Sequence, residues 1–475
     1  MNTALLDQKT ALLQIPESPD LPLRFAGIVR NLSGWDLYRI NPYPFADQHG
    51  LDRDHTLDLF VQSARLGLFD LGWAMICPNC GEIQNSDGSI QAIRGEEFHC
   101  SICHLDLKIV LDDNVEVTFT INPDIHKLEL NPFENPDSYR RYFFTSSFVR
   151  SQEVIDYVNS IWKGFYVVAP QEKIQFEIEG EPGQAYRMVA AGLHSQHVFH
   201  IPPDAIEQSE EELSLEDRGW STTELHTKGK KIRFTLKNNR ETTEGVMCVD
   251  ANFPKLHEMI RMYPPTRLPF VTGKILLNNQ TFRDLFKIQN LPADLKMNLR
   301  SLTILFTDLK GSTELYDRTG DVAAYNIIQE HFKLLHRIVK KHHGAIIKTM
   351  GDAIMATFSN PLDGLQASLD MLLEIQKLRA QGDALGLKVG LHEGPALAIN
   401  NEGRLDYFGQ TVNISARVQG LAKAGQIWIT DRVYQMQGVP DLIQNTGLKR
   451  QRYSASLKGV GERTIVHRLT DQAAV

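Results

Sequence analysis

A chain of 475 residues is too long for one ordinary hydrophobic core and implies roughly two to four domains. Its composition, 42% hydrophobic and 23% charged, is that of a globular protein, and a formal charge of −8 disfavours non-specific nucleic-acid binding as the main role. No apolar run reaches the roughly 18 residues of a membrane span, and MNTALLDQKTALLQIPESPD lacks the basic end and apolar stretch of a signal peptide, so the expected location is cytoplasmic, with no membrane partner.

Residues 1–70 read as an N-terminal arm and helical segment. NLSGWDLYRINPYPF sets aromatics between turn-formers and reads as an extended arm. From 52 to 69 a helical period places Leu57, Phe60, Val61, Ala64 and Leu68 on one face, with Asp52 or Asp54 as its cap.

Residues 71–115 carry two CxxC pairs, Cys77/Cys80 and Cys100/Cys103, with nineteen residues between them. That spacing is a zinc ribbon's. Four thiolates close a tetrahedral Zn2+ site with no open position, which makes the ion structural. Four free buried cysteines or a redox pair are the alternatives. His99 and His104 flank the second pair, and Cys248 stands alone, so disulfides are not expected. The segment between the knuckles has one arginine and several acids, which favours a structural or interaction role over DNA binding.

Residues 116–281 alternate in short runs such as VEVTFTI, KIQFEIEG and KIRFTLKNN, divided by turn residues. They predict an antiparallel β domain, a sandwich or barrel, interrupted by a helix within DSYRRYFFTSSFVRSQEVIDYVNSIWKGF. Residues 282–300 read as a linker, with a short helix broken near Pro292.

Residues 301–475 change to a βα pattern. Strand LTILFTD leads to a helix over 311–341, and a hairpin about MGD joins GAIIKT to AIMATFS. A helix over 361–379, strand LGLKVGLHEG, helical TVNISARVQGLAKA and strands QIWIT and TIVHRL follow. The β-α-β-β-α-β order is a ferredoxin-like plan, so the fold class is α+β multidomain.

In that plan the first and third strands are neighbours, which brings Asp308, at one strand end, opposite Asp352, in the hairpin turn. Two facing carboxylates repel each other unless a cation lies between them, and hard divalent ions favour such acids with substrate phosphates. The turn LKGST opens a helix whose amides suit an anion. Alone, Asp308 reads equally as a helix cap and Asp352 as a turn residue. Lys348 lies four residues before Asp352, and Asp406 precedes Asn413 and Arg417, which share a helix face. Lys458 precedes a glycine turn. His331, His336, His342 and His343 crowd one helix end, where a metal site is the alternative to His342 and His343 favouring the C-terminal end of the helix dipole. His392 and Glu393 read as a strand-end pair, and Ile327, Ile328, Phe332, Leu335 and Val339 as core.

FTDLKGST, KTMGDAIMATF and DYFGQTVNISAR together resemble the catalytic domain of class III nucleotidyl cyclases, the adenylate and guanylate cyclases, over slightly more than a third of the chain. The resemblance implies that Asp308 and Asp352 bind two divalent ions, Mg2+ or Mn2+, per site. It implies that Lys348 and Asp406 recognise a purine, the Lys/Asp combination selecting adenine. Asn413 would position the ribose, Arg417 would stabilise charge on the α-phosphate, and Lys458 would bind the triphosphate tail. Phe306, Thr307 and the amides of Leu309, Lys310, Gly311, Ser312 and Thr313 would line the phosphate seat. It further implies two symmetric sites at a head-to-tail homodimer, each using acids from one subunit and the base-reading, Asn and Arg residues from the other. The expected function is an adenylate cyclase, converting ATP to 3′,5′-cyclic AMP and pyrophosphate. A cyclase for GTP or a pyrimidine nucleotide, or a non-catalytic nucleotide-binding regulator, is the alternative. Gln410 departs from the family's usual residue, and the loop GPALAINNEGRLDYFG is short. The N-terminal region is expected to sense an unknown regulator or to control how two catalytic domains meet.

Overall fold

The structure, a computed structural model, describes residues 1–87, 97–103, 105–286, 296–380, 385–402 and 404–470, without the side chains of 85–87, 296, 313, 379 and 380. His104, the segment 287–295 and the expected helix break at Pro292 lie outside the described residues. Among those described, no helix is long and apolar enough to cross a membrane.

Four helices open the chain, Thr3–Thr10, Leu21–Asn31, Pro42–His49 and Arg53–Arg65. Asp52 is the cap of the last, its carboxylate accepting from the amides of Asp54 and His55. The expected extended arm is folded instead. Asn41 caps Pro42–His49, whose leading proline suits a first helical turn, and Gly50 ends it at φ 60°. These helices lie on a three-stranded antiparallel sheet of Phe69–Ile76 between Ile83–Asp87 and Val115–Ile121. The cysteine segment therefore projects from within a sheet. Its second pair sits on the hairpin Glu97–Cys100 and Leu105–Lys108.

Residues 162–250 form a sandwich. One sheet orders Glu224–His226, Ser195–His200, Ala185–Ala190, Glu244–Asp250 and Trp162–Val168; the other orders Gly219–Trp220, Ile206–Glu216, Gly229–Asn238 and Lys173–Glu179. Phe199, Phe234, Met188 and Leu236 fill the space between them. The sheets are mixed, not purely antiparallel. Ser195–His200 pairs in parallel with Glu224–His226, and Ile206–Glu216 with Gly229–Asn238. After Ile206–Glu216 the chain crosses to the other sheet through Glu224–His226 and returns, and that detour turns it into a parallel partner.

The C-terminal sheet runs Gly344–Met350, Ala353–Phe358, Lys296–Lys310, Gly386–Asn401, Gln426–Thr430, Thr464–Thr470, Lys449–Ala455. Its first four members have the ferredoxin-like order. Lys296–Lys310 starts inside the expected linker because Lys296–Leu299 pair with Ile399–Ala396. The expected single helix is two, Ser312–Thr319 and Asp321–Lys341, divided at Gly320 with φ 79°, a conformation open mainly to glycine. The short loop expected after residue 394 is a hairpin: Gly386–Asn401 is long, and Arg404–Phe408 folds back along it.

Alternation along Lys296–Lys310 divides the packing. Leu305 and Leu309 join a core beneath the helices Asp321–Lys341 and Pro361–Ala380. Leu302, Ile304 and Phe306 face the other way, into a core shared with Phe25, Phe60, Phe119 and Phe282 of the N-terminal region. Polar contacts line the same seam. The Thr357 hydroxyl donates to Asn278 Oδ1 at 2.5 Å, the Ile346 amide to Gln280 Oε1 at 2.7 Å, and Arg283 Nη2 to the Leu405 carbonyl at 2.9 Å.

Candidate functional site

Asp308 ends the strand Lys296–Lys310. The ladder pairs Thr303 with Phe358 and Phe306 with Met355. Continued by two residues, it sets Asp308 beside Ala353, the neighbour of Asp352. Both carboxylates thus stand at one end of adjacent strands, and Gly351, at φ 64°, makes the turn that carries the second. Asp308 is half-buried and accepts from the Lys388 ammonium, its cross-strand partner. Asp352 has no partner among the described residues. The Lys388 ammonium answers one acid and leaves the other open, and a divalent cation shared by both, with phosphate oxygens as further ligands, would take the place of that ammonium. Lys388 escapes motif reading; its only signal is a lysine within the apolar run LGLKVGL.

Lys348 Nζ donates to Asp406 Oδ2 at 2.6 Å. Asp406, on Arg404–Phe408, is buried and also accepts from Asn401 Nδ2 at 3.2 Å and the Tyr407 amide at 2.8 Å. Burial alone would raise its pKa; the bond from Lys348 and the two amide donors outweigh that and hold it below the usual carboxylate range. The pair is a donor and an acceptor side by side, set on two different strands.

Asn413 and Arg417 lie on the helix Gln410–Gln419, both exposed and without partners among the described residues. The helix is fixed from beneath. Ser415 Oγ donates to the Ile304 carbonyl at 2.6 Å, and Thr411 Oγ1 to the Pro395 carbonyl at 2.5 Å. A Cβ on Gly390 would lie 2.2 Å from the Gln419 nitrogen, so only glycine lets the helix approach so closely. Lys458 is exposed in the turn before Gly459 (φ 83°), and no hydrogen bond or ion pair joins it to the other candidates.

Phe306, Thr307 and Leu309 are buried. Thr307 Oγ1 accepts from the Ile354 amide at 3.3 Å. Leu309 and Lys310 remain in the strand, opposite Leu387 and Gly386, so the free helix start is confined to Gly311, Ser312 and Thr313. The side chain of Thr313 lies outside those described. The clustered histidines reach separate partners: His336 meets Asp284 at 3.4 Å, His342 meets Asp370 at 2.9 Å, and His343 meets Asp54 at 3.0 Å. His331 is buried. His392 and Glu393 sit mid-strand, not at a strand end, because the strand continues to Asn401. His392 Nδ1 meets Thr430 Oγ1 at 2.9 Å, and Glu393 accepts from Arg432.

The four cysteines of the N-terminal half are buried, with their Sγ atoms all within 4.8 Å of one another. Sγ separations are 3.9 Å for Cys77–Cys103 and 3.6 Å for Cys80–Cys100. Tetrahedral zinc with Zn–S near 2.3 Å requires about 3.8 Å. Hydrogen bonds from Cys100, then Cys103 and Cys80, hold the Cys77 thiol low, while burial pushes Cys80 up. Four thiolates together need a cation, and the residues fit zinc. Around them, Arg150 Nη2 donates to the Cys80 carbonyl at 2.8 Å, Arg187 Nη1 to the Ile102 carbonyl at 2.7 Å, and His257 Nε2 to the Cys103 carbonyl at 3.0 Å. Buried Glu82 accepts from the Ser101 hydroxyl at 2.7 Å. None of these partners is visible in the CxxC spacing.

Residues 296–467, the segment with this sheet order, match the family described as the adenylate and guanylate cyclase catalytic domain. Residues 7–284, more than half of the chain, match a family of unknown function, DUF5939, and the chain belongs to that family. An adenylate cyclase of Mycobacterium tuberculosis is 28% identical over 284 residues, covering 58% of this chain and 59% of that protein. A serine/threonine-protein kinase, pkn2 of Myxococcus xanthus, is 29% identical over 137 residues, 28% of this chain and 16% of that protein. The chain thus spans under two thirds of the length of these relatives. Among solved structures, the adenylyl cyclase CyaB of P. aeruginosa is 22% identical with a TM-score of 0.32, covering 37% of this chain and 96% of that one. The guanylate cyclase domain of RhGC from Catenaria anguillulae, in complex with GTP, is 22% identical with a TM-score of 0.32, covering 36% and 97%.

Proposed function

We propose that this protein is an adenylate cyclase, forming 3′,5′-cyclic AMP and pyrophosphate from ATP at sites completed by a second copy of the chain. The Lys348–Asp406 pair carries the choice of base. Adenine offers an amino donor beside a ring acceptor, which a carboxylate and an ammonium side by side can read together. Guanine reverses the donor and acceptor at that edge.

Asp308 and Asp352 would hold Mg2+ or Mn2+, two per site, and ions bound there activate the ribose 3′-hydroxyl and neutralise the triphosphate. The amides at Gly311–Thr313 face the phosphates. Asn413 orients the ribose, and Arg417 meets the charge that grows on the α-phosphate as the 3′-oxygen attacks and pyrophosphate leaves. Lys458 holds the leaving group. Asn413 and Arg417 are exposed and without partners among the described residues of the single chain, which supports a site shared between subunits. The four cysteines hold structural zinc.

The test is incubation of the purified full chain with each of four nucleoside triphosphates and manganese, followed by product analysis. Cyclic AMP from ATP, abolished when Asp308 and Asp352 are both alanine, is the expected outcome. Cyclic GMP as the main product would overturn the base assignment. Arg417→Ala should lower turnover by roughly 10²–10³-fold. Mixing Asp308→Ala chains with Arg417→Ala chains should restore activity if the sites are shared, and leave it absent if each chain works alone.

A further inference from the structure

A cavity of about 470 Å³ lies in the N-terminal half, away from the catalytic fold. It forms where the helices Pro136–Phe143, Gln152–Ser160 and Phe253–Met262 meet the sandwich edge and the cysteine knuckles. Its size falls in the range of small-molecule sites and well above the packing gaps of an ordinary core. Val154, Val158, Trp162, Val249, Leu256 and Ile260 give it apolar walls.

Among the described residues, the charged ones lining it are all of one sign: Arg140, Arg150 and Arg187 contribute to the walls, and no Asp or Glu does. Arg140 is exposed and paired with Asp137. The other two are different. Arg187 is 4% exposed; its Nη1 also reaches Gln196 Oε1 at 3.4 Å, and its guanidinium lies 4.7 Å from the Phe253 ring centroid. Its Nε donor has no acceptor. The Arg150 guanidinium lies 4.7 Å from the Phe144 ring centroid. Neither meets a carboxylate among the described residues; their protein acceptors are neutral oxygens.

A buried guanidinium N–H that meets no acceptor among the described residues is costly, and the Arg187 Nε is such a group. Four thiolates on one Zn2+ would carry a net charge of about −2 behind the Cys80 and Ile102 carbonyls, and with buried Glu82 they answer the charge of both guanidinium groups. They leave the Arg187 Nε donor without an acceptor. Guanidinium N–H donors in the wall of an apolar cleft match a planar or tetrahedral oxyanion carried on an apolar body.

We propose that this cavity binds a small organic acid, its aromatic or aliphatic body among Val158, Trp162 and Leu256 and its anionic head on Arg187 and Arg150. Asn79, Cys80 and Ile102 also line the cavity, so an occupant touches both knuckles. Binding is thereby coupled to the stability of the zinc ribbon. This assignment stands whether or not the catalytic domain forms cyclic AMP.

The probe is 1-anilinonaphthalene-8-sulfonate, an aromatic body with one anionic head, titrated by fluorescence into the zinc-loaded full chain beside its uncharged relative N-phenyl-1-naphthylamine. One saturable site per chain is expected for the anion, with at least tenfold weaker binding of the neutral compound. Arg187→Gln should weaken the anion tenfold or more and leave the neutral compound unchanged. Val158→Trp, which fills the cleft, should abolish both while zinc content and circular dichroism stay as in the parent. The anionic probe should also slow zinc loss to a chelator. Equal affinity for the two probes, anion binding that survives Val158→Trp, or no saturable site would each overturn the proposal.

Discussion

Individual histidines give this protein two opposite responses to pH. Burial pushes His331 and His392 down to about 4. An unfolded histidine titrates near 6.5, so between these values the unfolded chain binds the extra protons. Stability therefore falls as pH drops from about 6.5 to about 4, by up to about 3 kcal/mol for each group. Urea midpoints of the parent should decline over that window, and His331→Leu should flatten the decline. His343 has the reverse sign. Asp363, then Asp54, raise it to about 10, so its ion pairs are fully present below about 6.5 and disappear as pH rises through about 10. Asp54→Asn should remove part of that alkaline loss, read as a smaller drop in melting temperature between pH 8 and 10.5. Among the residues, those lying in one short stretch were legible from sequence: Asp308 and Asp352 at strand ends, Asn413 and Arg417 on one helix face, two CxxC pairs. Lys388, Arg283, Arg150 and Arg187 were not, because each acquires its role from a partner on a distant segment.

The helix Gln410–Gln419 shows what an element must do to present the groups proposed here as catalytic. Its buried side is fixed by Ser415 and Thr411, and its approach to the sheet depends on Gly390. Gly390→Ala would force a new methyl against the backbone of Gln419. It should cost about 1–3 kcal/mol in denaturant unfolding and lower the turnover expected of Arg417 more than it changes binding of ATP. Unchanged turnover would separate the helix position from catalysis. Elements with one clear period were readable, among them the 302–308 part of the strand Lys296–Lys310 and the helix Pro361–Ala380. Two escaped. The hairpin Arg404–Phe408 hid behind Asn400, Asn401 and Gly403, which read as loop chemistry. The break at Gly320 was hidden by an apolar period that resumes on its far side.

For the whole molecule, the N-terminal and catalytic parts are one packed body, whereas the sequence suggested parts joined by a linker. Sequence patterning could not reveal this, since a strand face buried against its own domain and one buried against another domain look alike. Two outcomes follow. If the four cysteines hold zinc as proposed, a chelator should lower the melting temperature of the full chain, because the cysteine segment is clasped by Arg150, Arg187 and His257. A fragment of residues 296–475 should self-associate or precipitate where the full chain does not, as light scattering would record. Equal behaviour of fragment and full chain would show that the shared core contributes little.

The shared core also limits how freely these halves can be traded. Met297, Leu299, Leu302, Ile304, Phe306, Met355, Ala396, Ala398, Leu405 and Tyr407 are shaped to one neighbour. A chimera that grafts this cyclase segment onto a foreign sensor would inherit a greasy, mismatched underside. Such an exchange would require resurfacing those positions together, and divergence between the two halves should be constrained in step.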